Sequence, residues 1–141
     1  MKTIVVIDGQ GGGLGRQYIE KLRRLGHTHF ILAVGTNAQA TAAMLKAGAD
    51  AAATGENAVI YNAARADLIV GPMALILDNA LYGEISPPMA RAVAGSDATK
   101  LLIPFNRCNA VIVGVEERPL ADYVEEAVRR TAEFLQETAG E

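Results

Sequence analysis

The sequence predicts an α/β fold: three layers, doubly wound, around a mainly parallel sheet with one antiparallel strand from a late hairpin. Three observations predict it. Short apolar, β-branched runs alternate with segments of helical periodicity. The first run, Ile4-Val5-Val6-Ile7, passes through Asp8 into a loop with five glycines between Gly9 and Gly15, and the loop opens a helix. Late in the chain, Leu101–Phe105 and Ala110–Val115 are separated only by Asn106-Arg107-Cys108-Asn109, too short a gap for a parallel crossover, so the pair reads as a hairpin. A βαβαβ order that begins with a glycine loop is the nucleotide-binding half of a Rossmann-like arrangement.

Taken in order, Thr3–Ile7 is a buried strand with no polar face. The following helix puts Leu14, Tyr18, Ile19, Leu22 and Leu25 on one stripe and Arg16, Glu20, Lys21, Arg23 and Arg24 on the other, with Gly26 as its stop. Phe30–Val34 is the second strand, broken at Gly35. Asn37 then caps an alanine-rich helix that runs to about Ala47, with Gly48 beyond it. Asp50–Thr54 is read as a short strand only because the alternation demands one, since its three alanines favour helix. Thr54-Gly55-Glu56-Asn57 repeats the turn-and-cap chemistry before a short helix with Val59, Ile60 and Ala63 on its stripe. Asp67–Val70 is a strand stopped by Gly71-Pro72. Met73–Ile85 has no clear period, and its run Met73–Leu77 is apolar all round. Ser86 caps a helix with Pro87 at its first position, ending near Gly95. Pro119 opens the last helix, whose stripe includes Leu120, Val124, Ala127, Val128 and Thr131, with Glu125–Arg129 and Glu126–Arg130 as wet-side pairs.

Composition narrows the function. At 141 residues the chain is expected to form one domain, 1–141. Hydrophobic residues make up 50% but aromatics only 5%, so the core must be aliphatic and alanine-rich. The net charge of −3 argues against nucleic acid as the main partner. One cysteine and two histidines leave no disulfide framework and no metal site is expected. No apolar run is long enough to span a bilayer, and the N-terminus lacks a signal-peptide pattern, so a cytoplasmic location is expected.

The chemistry concentrates in Asp8–Arg16. Glycines let a backbone approach a ligand closely, and the free N–H groups of a first helical turn point at an anion. The candidate cofactor-binding residues are therefore Gly9, Gln10, Gly11, Gly12, Gly13, Leu14 and Gly15. Thr36, Asn37, Thr54, Asn57 and Asn106 join them from the other loops at the carboxyl ends of the strands. Gly9, Gly12 and Gly15 read G-x-x-G-x-x-G rather than G-x-G-x-x-G, and no Lys-Ser/Thr follows as in a Walker loop. The loop resembles the variant in some NAD(P)-dependent reductases and dehydrogenases, which makes NAD(P) the candidate cofactor. The acidic residue expected at the end of the second strand is replaced by Gly35-Thr36-Asn37, which tilts the reading toward NADP or another nucleotide.

Asp8 would repel a pyrophosphate and reads first as a structural clamp on the loop. Asp8, Arg107 and Cys108 are the catalytic candidates: Arg107 as a phosphate contact that also favours the Cys108 thiolate. His27 and His29 belong to the opposite edge of the sheet, so neither serves as a base for Cys108, and the pair reads as a turn and strand start.

The strings Val6-Ile7-Asp8-Gly9-Gln10-Gly11-Gly12-Gly13, Gly35-Thr36-Asn37-Ala38, Ala53-Thr54-Gly55-Glu56-Asn57-Ala58 and Ile103-Pro104-Phe105-Asn106-Arg107-Cys108-Asn109 together resemble a family of short, uncharacterised bacterial proteins with a Rossmann-like glycine-rich loop. The resemblance covers nearly the whole chain and implies domain limits and a bacterial origin, with no activity attached. The residues themselves point to a small nucleotide-binding protein, and, if it is an enzyme, to an NAD(P)-dependent oxidoreductase. The alternatives are a non-catalytic ligand sensor or assembly subunit, and an enzyme that transforms a phosphosugar or nucleotide phosphate. Homo-oligomerisation is expected, because Met73–Leu77 and the alanine-faced helix exceed what one small sheet covers.

Overall fold

The structure, a computed structural model, describes residues 1–105 and 109–140. Five parallel strands form one sheet in the order β3-β2-β1-β4-β5: β1 (Thr3–Asp8), β2 (Phe30–Gly35), β3 (Ala51–Thr54), β4 (Leu68–Pro72) and β5 (Thr99–Ile103). The helices are α1 (Gly13–Arg23), α2 (Ala38–Ala47), α3 (Glu56–Ala63), α4 (Pro87–Ala94) and α5 (Leu120–Glu137), with a 3₁₀ turn at Met73–Ile76.

Alternation along each strand divides the core in two. Ile4 and Val6 of β1, with Ile31, Ala33, Leu68 and Val70, face one side, where Leu14, Tyr18, Ile19 and Leu22 of α1, Met44 of α2 and Val124 of α5 cover them. Val5 and Ile7, with Val34 and Ile69, face the other, under Val59 of α3, Leu75 and Ile85, and Ala90 and Val93 of α4. Helices on both faces of an all-parallel sheet explain why its central strands carry no polar side. A buried hydrogen bond ties the first layer together: Tyr18 Oη and Thr131 Oγ1 lie 2.6 Å apart, and because Thr131 already donates to the Ala127 carbonyl, the Tyr18 hydroxyl is the donor.

Several expectations hold at the level of the residue. Asn37 caps α2 through its side chain on the Ala40 amide, and Gly48 ends that helix at φ 123°. Ser86 caps α4, with Pro87 at its first position. The alanine strand also forms: Ala51, Ala52 and Ala53 pair with Leu32, Ala33 and Val34 at the sheet edge, because the ladder supplies what propensity does not.

The antiparallel hairpin is not formed. β5 pairs with β4 in parallel, the crossover being the 3₁₀ turn and α4, and Ala110–Val115 is not a strand. Gly114 sits at φ 89° and the Val115 amide turns back onto the Ile112 carbonyl, so the run turns on itself, with Val111 and Val113 84% and 96% exposed. Within the apolar run Met73–Leu77, Ala74 and Leu75 are buried in the second core face, while Met73, Ile76 and Leu77 are half-buried. Leu25 lies off the buried stripe of α1 and is 50% exposed. Gly71-Pro72 ends β4 from within it. On α5, Glu126–Arg130 forms at 3.6 Å, but Glu125 reaches Lys21 of α1 and Arg129 pairs with Glu133.

Candidate functional site

Ladder register sets the stage. Asp8 is paired with Gly35 and Gly35 with Thr54, so the loops after β1, β2 and β3 leave the sheet side by side at its carboxyl edge. The β1–α1 loop turns tightly, the Gly12 amide donating to the Gly9 carbonyl, with Gln10 at φ 50° and Gly12 at φ 74°. A Cβ on Gly12 would lie 2.9 Å from the Ala40 backbone, so this glycine serves both conformation and close packing on α2.

The inner amides of this loop are already engaged. Asp8, 4% exposed, accepts the Gly9 amide on Oδ1 and the Gly15 amide on Oδ2, each at 2.8 Å, and the Leu14 amide adds to them. Burial pushes the Asp8 carboxyl up from its ordinary value; the three amides oppose that, and the negative charge of Glu84 adds to it. Asp8 thus fills the start of α1 with a carboxylate of the chain's own, where a pyrophosphate would otherwise sit.

A second carboxylate covers the outside of the loop. Glu84 Oε1 accepts the Gln10 amide at 2.8 Å, the Thr36 hydroxyl at 2.6 Å and the Asn37 side-chain amide at 3.3 Å. Burial pushes the Glu84 carboxyl up, but the donors Thr36, Gln10 and Asn37 together outweigh it and hold the group below its ordinary value. Asn37 braces the arrangement, its Nδ2 also donating to the Gln10 carbonyl at 2.9 Å while its Oδ1 caps α2. The anion site expected at the loop amides is therefore partly filled from within. Its outer rim is open: Gly11 and Gly13 are exposed, a Cβ on either would meet nothing within 4 Å, and their amides have no acceptor among the described residues.

Of the residues singled out in the sequence, Asp8, Gly9, Gln10, Thr36 and Asn37 are brought together. Gly12, Leu14 and Gly15 are buried beneath them. Thr54 turns instead to Thr41 of α2, hydroxyl to hydroxyl at 2.7 Å, and Asn57 lies exposed on α3. Asn106, Arg107 and Cys108 lie outside the described residues. His27 and His29 sit together at the opposite edge, where the Lys2 amide donates to His29 Nδ1. No cluster suited to a metal ion occurs among the described residues, and no helix among them is long and apolar enough to cross a membrane. The residue that sequence reasoning missed is Glu84. Its contact with Gln10 spans 74 positions and no local pattern announces it; the one trace is Gly9, where a Cβ would lie 2.5 Å from Glu84 Oε1.

Beyond these loops, a groove of about 490 Å³ lies beside the end of β5, lined by Met73, Ile76, Leu102, Pro104, Ile112 and Tyr123 together with Glu126. Arg118 and Glu116 stand at its rim, and the Tyr123 hydroxyl donates to the Glu116 carbonyl.

A parallel sheet in this strand order, wound on both faces and opening its loops at one edge, defines a Rossmann-like α/β protein. The chain belongs to the family described as Domain of unknown function (DUF3842), whose model matches residues 3–136. No curated protein matches its sequence. Among solved structures it is similar in fold to the dodecameric FMN-dependent UbiX-like decarboxylase of Escherichia coli O157:H7, with 16% sequence identity and a TM-score of 0.52 over 96% of this chain and 95% of that one.

Proposed function

We propose that the chain binds a phosphate-bearing nucleotide at the carboxyl edge of its sheet, with flavin mononucleotide the first candidate. The observation that carries this reading is the convergence of three donors, the Gln10 amide, Thr36 hydroxyl and Asn37 amide, on one anionic oxygen beside the open amides of Gly11 and Gly13. Such a receptor is sized for a single phosphate. NAD(P) is the poorer fit. Its pyrophosphate needs the amides at the start of the helix, which Asp8 holds. The groove beside the end of β5, with Met73, Ile76, Leu102 and Tyr123 in its lining, supplies a wall for a planar ring. The fold's likeness to an FMN-dependent decarboxylase supports the same ligand class.

Thermal denaturation with FMN, FAD, NADH, NADPH, AMP and inorganic phosphate tests the proposal. FMN at a hundredfold excess over its Kd stabilises the folded state by about 2.7 kcal/mol, a clear rise in Tm. A Tm that stays put with every nucleotide at millimolar concentration overturns it. Substrate turnover by the loaded protein separates an oxidoreductase from a non-catalytic sensor.

The chain also self-associates in this reading. Val111 and Val113 are exposed and are its candidate contact residues, and the structurally similar decarboxylase is a dodecamer.

A further inference from the structure

Glu84 is carried by a segment that is strained at its tip and anchored at its base. Within four positions Asn79, Leu81 and Tyr82 hold φ of 64°, 56° and 56°, the left-handed region that side chains avoid, and Gly83 follows at 89°. Tyr82 is 99% exposed, so no packing holds the tip, whereas Leu81 and Ile85 are buried in the second core face. The segment closes on itself, the Asn79 amide donating to the Ile85 carbonyl and the Gly83 amide to the Asn79 carbonyl. From this strained turn the carboxylate reaches the three donors, against a Gly9 that leaves room for it.

We propose that Glu84 is an intramolecular anion standing in the ligand's phosphate position, and that it withdraws from Gln10, Thr36 and Asn37 when a phosphate enters. The inference rests on the reading of this edge as a nucleotide site and adds its regulation. The same oxygen position serves one anion at a time, and a phosphate beside both Asp8 and Glu84 would face two carboxylates. Displacing Glu84 removes one of them. The free protein's affinity is then lowered by the fraction of time the plug is seated. A permanent latch predicts something different: loss of Glu84 weakens the fold and gains no anion binding.

The test follows the Gln10 amide by two-dimensional NMR in the wild type, Glu84→Ala and Glu84→Gln, titrated with inorganic phosphate and then with FMN. In Glu84→Ala, phosphate shifts the Gln10 resonance with a half-saturation about tenfold or more below that of the wild type. Glu84→Gln falls between, since it keeps the shape and one acceptor but loses the charge. A folded Glu84→Ala whose Gln10 amide is unmoved by phosphate, or moved at the wild-type concentration, overturns the plug; should that variant fail to fold, Glu84→Gln is judged by the same criterion. FMN separates the two readings. If FMN binds neither protein while phosphate behaves as expected, the nucleotide reading falls and the plug stands. If FMN binds both equally and moves Gln10 in each, the plug falls and the nucleotide reading stands; if FMN binds both with Gln10 unmoved, the plug falls together with the assignment of Gln10, Thr36 and Asn37 as the phosphate receptor.

Discussion

Asp8 and Asp50 show how one residue type is put to opposite uses. Asp50 Oδ2 accepts the Ile31 amide at 2.8 Å and lies 2.7 Å from the Arg23 guanidinium, and these partners, the amide foremost, hold its carboxyl below the ordinary 3.8. A carboxyl depressed by folding contributes stability above its unfolded pKa and loses it as pH falls through the folded one. Asp50→Asn is therefore expected to be less stable at neutral pH and to show a shallower fall in stability below pH 3.8, read from urea midpoints across that range. Asp8 runs the other way. Its pKa is raised by burial, so its contribution is fullest below 3.8 and is lost as pH rises through the folded value. Burial thus works against the charged form of Asp8 while the amides of Gly9, Leu14 and Gly15, which it clamps, work for it. Asp8 stands out in the sequence as an acid that opens a glycine loop. Glu84 does not, because a contact across 74 residues leaves no periodicity to read.

At the scale of the element, the β1–α1 loop separates glycines that the fold requires from glycines it leaves open. Gly12, at φ 74° with the Ala40 backbone 2.9 Å from where its Cβ would be, is expected to lose about 1–3 kcal/mol on substitution by alanine. Gly11→Ala, with nothing within 4 Å, should stay within about 0.5 kcal/mol of the wild type. Chemical denaturation of the two variants checks the contrast, and equal losses would refute it. In the sequence the run of glycines reads as one signal, and only packing against α2 tells its members apart. The late hairpin was misread for a related reason. Valine and isoleucine in Ala110–Val115 announce an affinity for extended structure, but a strand exists only where a neighbour offers its ladder. β5 takes its partner in β4, and the later run turns at Gly114 and leaves the sheet.

For the whole molecule, the exposed Val111 and Val113 stand where a monomer gains nothing from two bare valines. Light scattering at micromolar concentrations is expected to give a mass of at least two chains, and Val111→Lys with Val113→Lys to shift it toward one; a monomeric wild type at high concentration refutes the inference. Met73–Leu77 looks uncovered when it is read as a string, yet α4 and the segment around Ile85 cover much of it.

The order of the first five strands and of the five helices, the capping of α2 and α4, and the glycine loop at the head of the sheet were legible in the sequence itself, because most are written in a period or a cap a few residues long, whereas the alanine strand β3 followed only from the alternation and the strand read at Ala110–Val115 does not form. Tertiary structure alone decided which loop amides are occupied, that Glu84 closes over Gln10 and Thr36, and that the sheet is parallel throughout. Those outcomes depend on which distant segments compete for the same donors and ladder edges, and that competition is settled only when the chain has closed on itself.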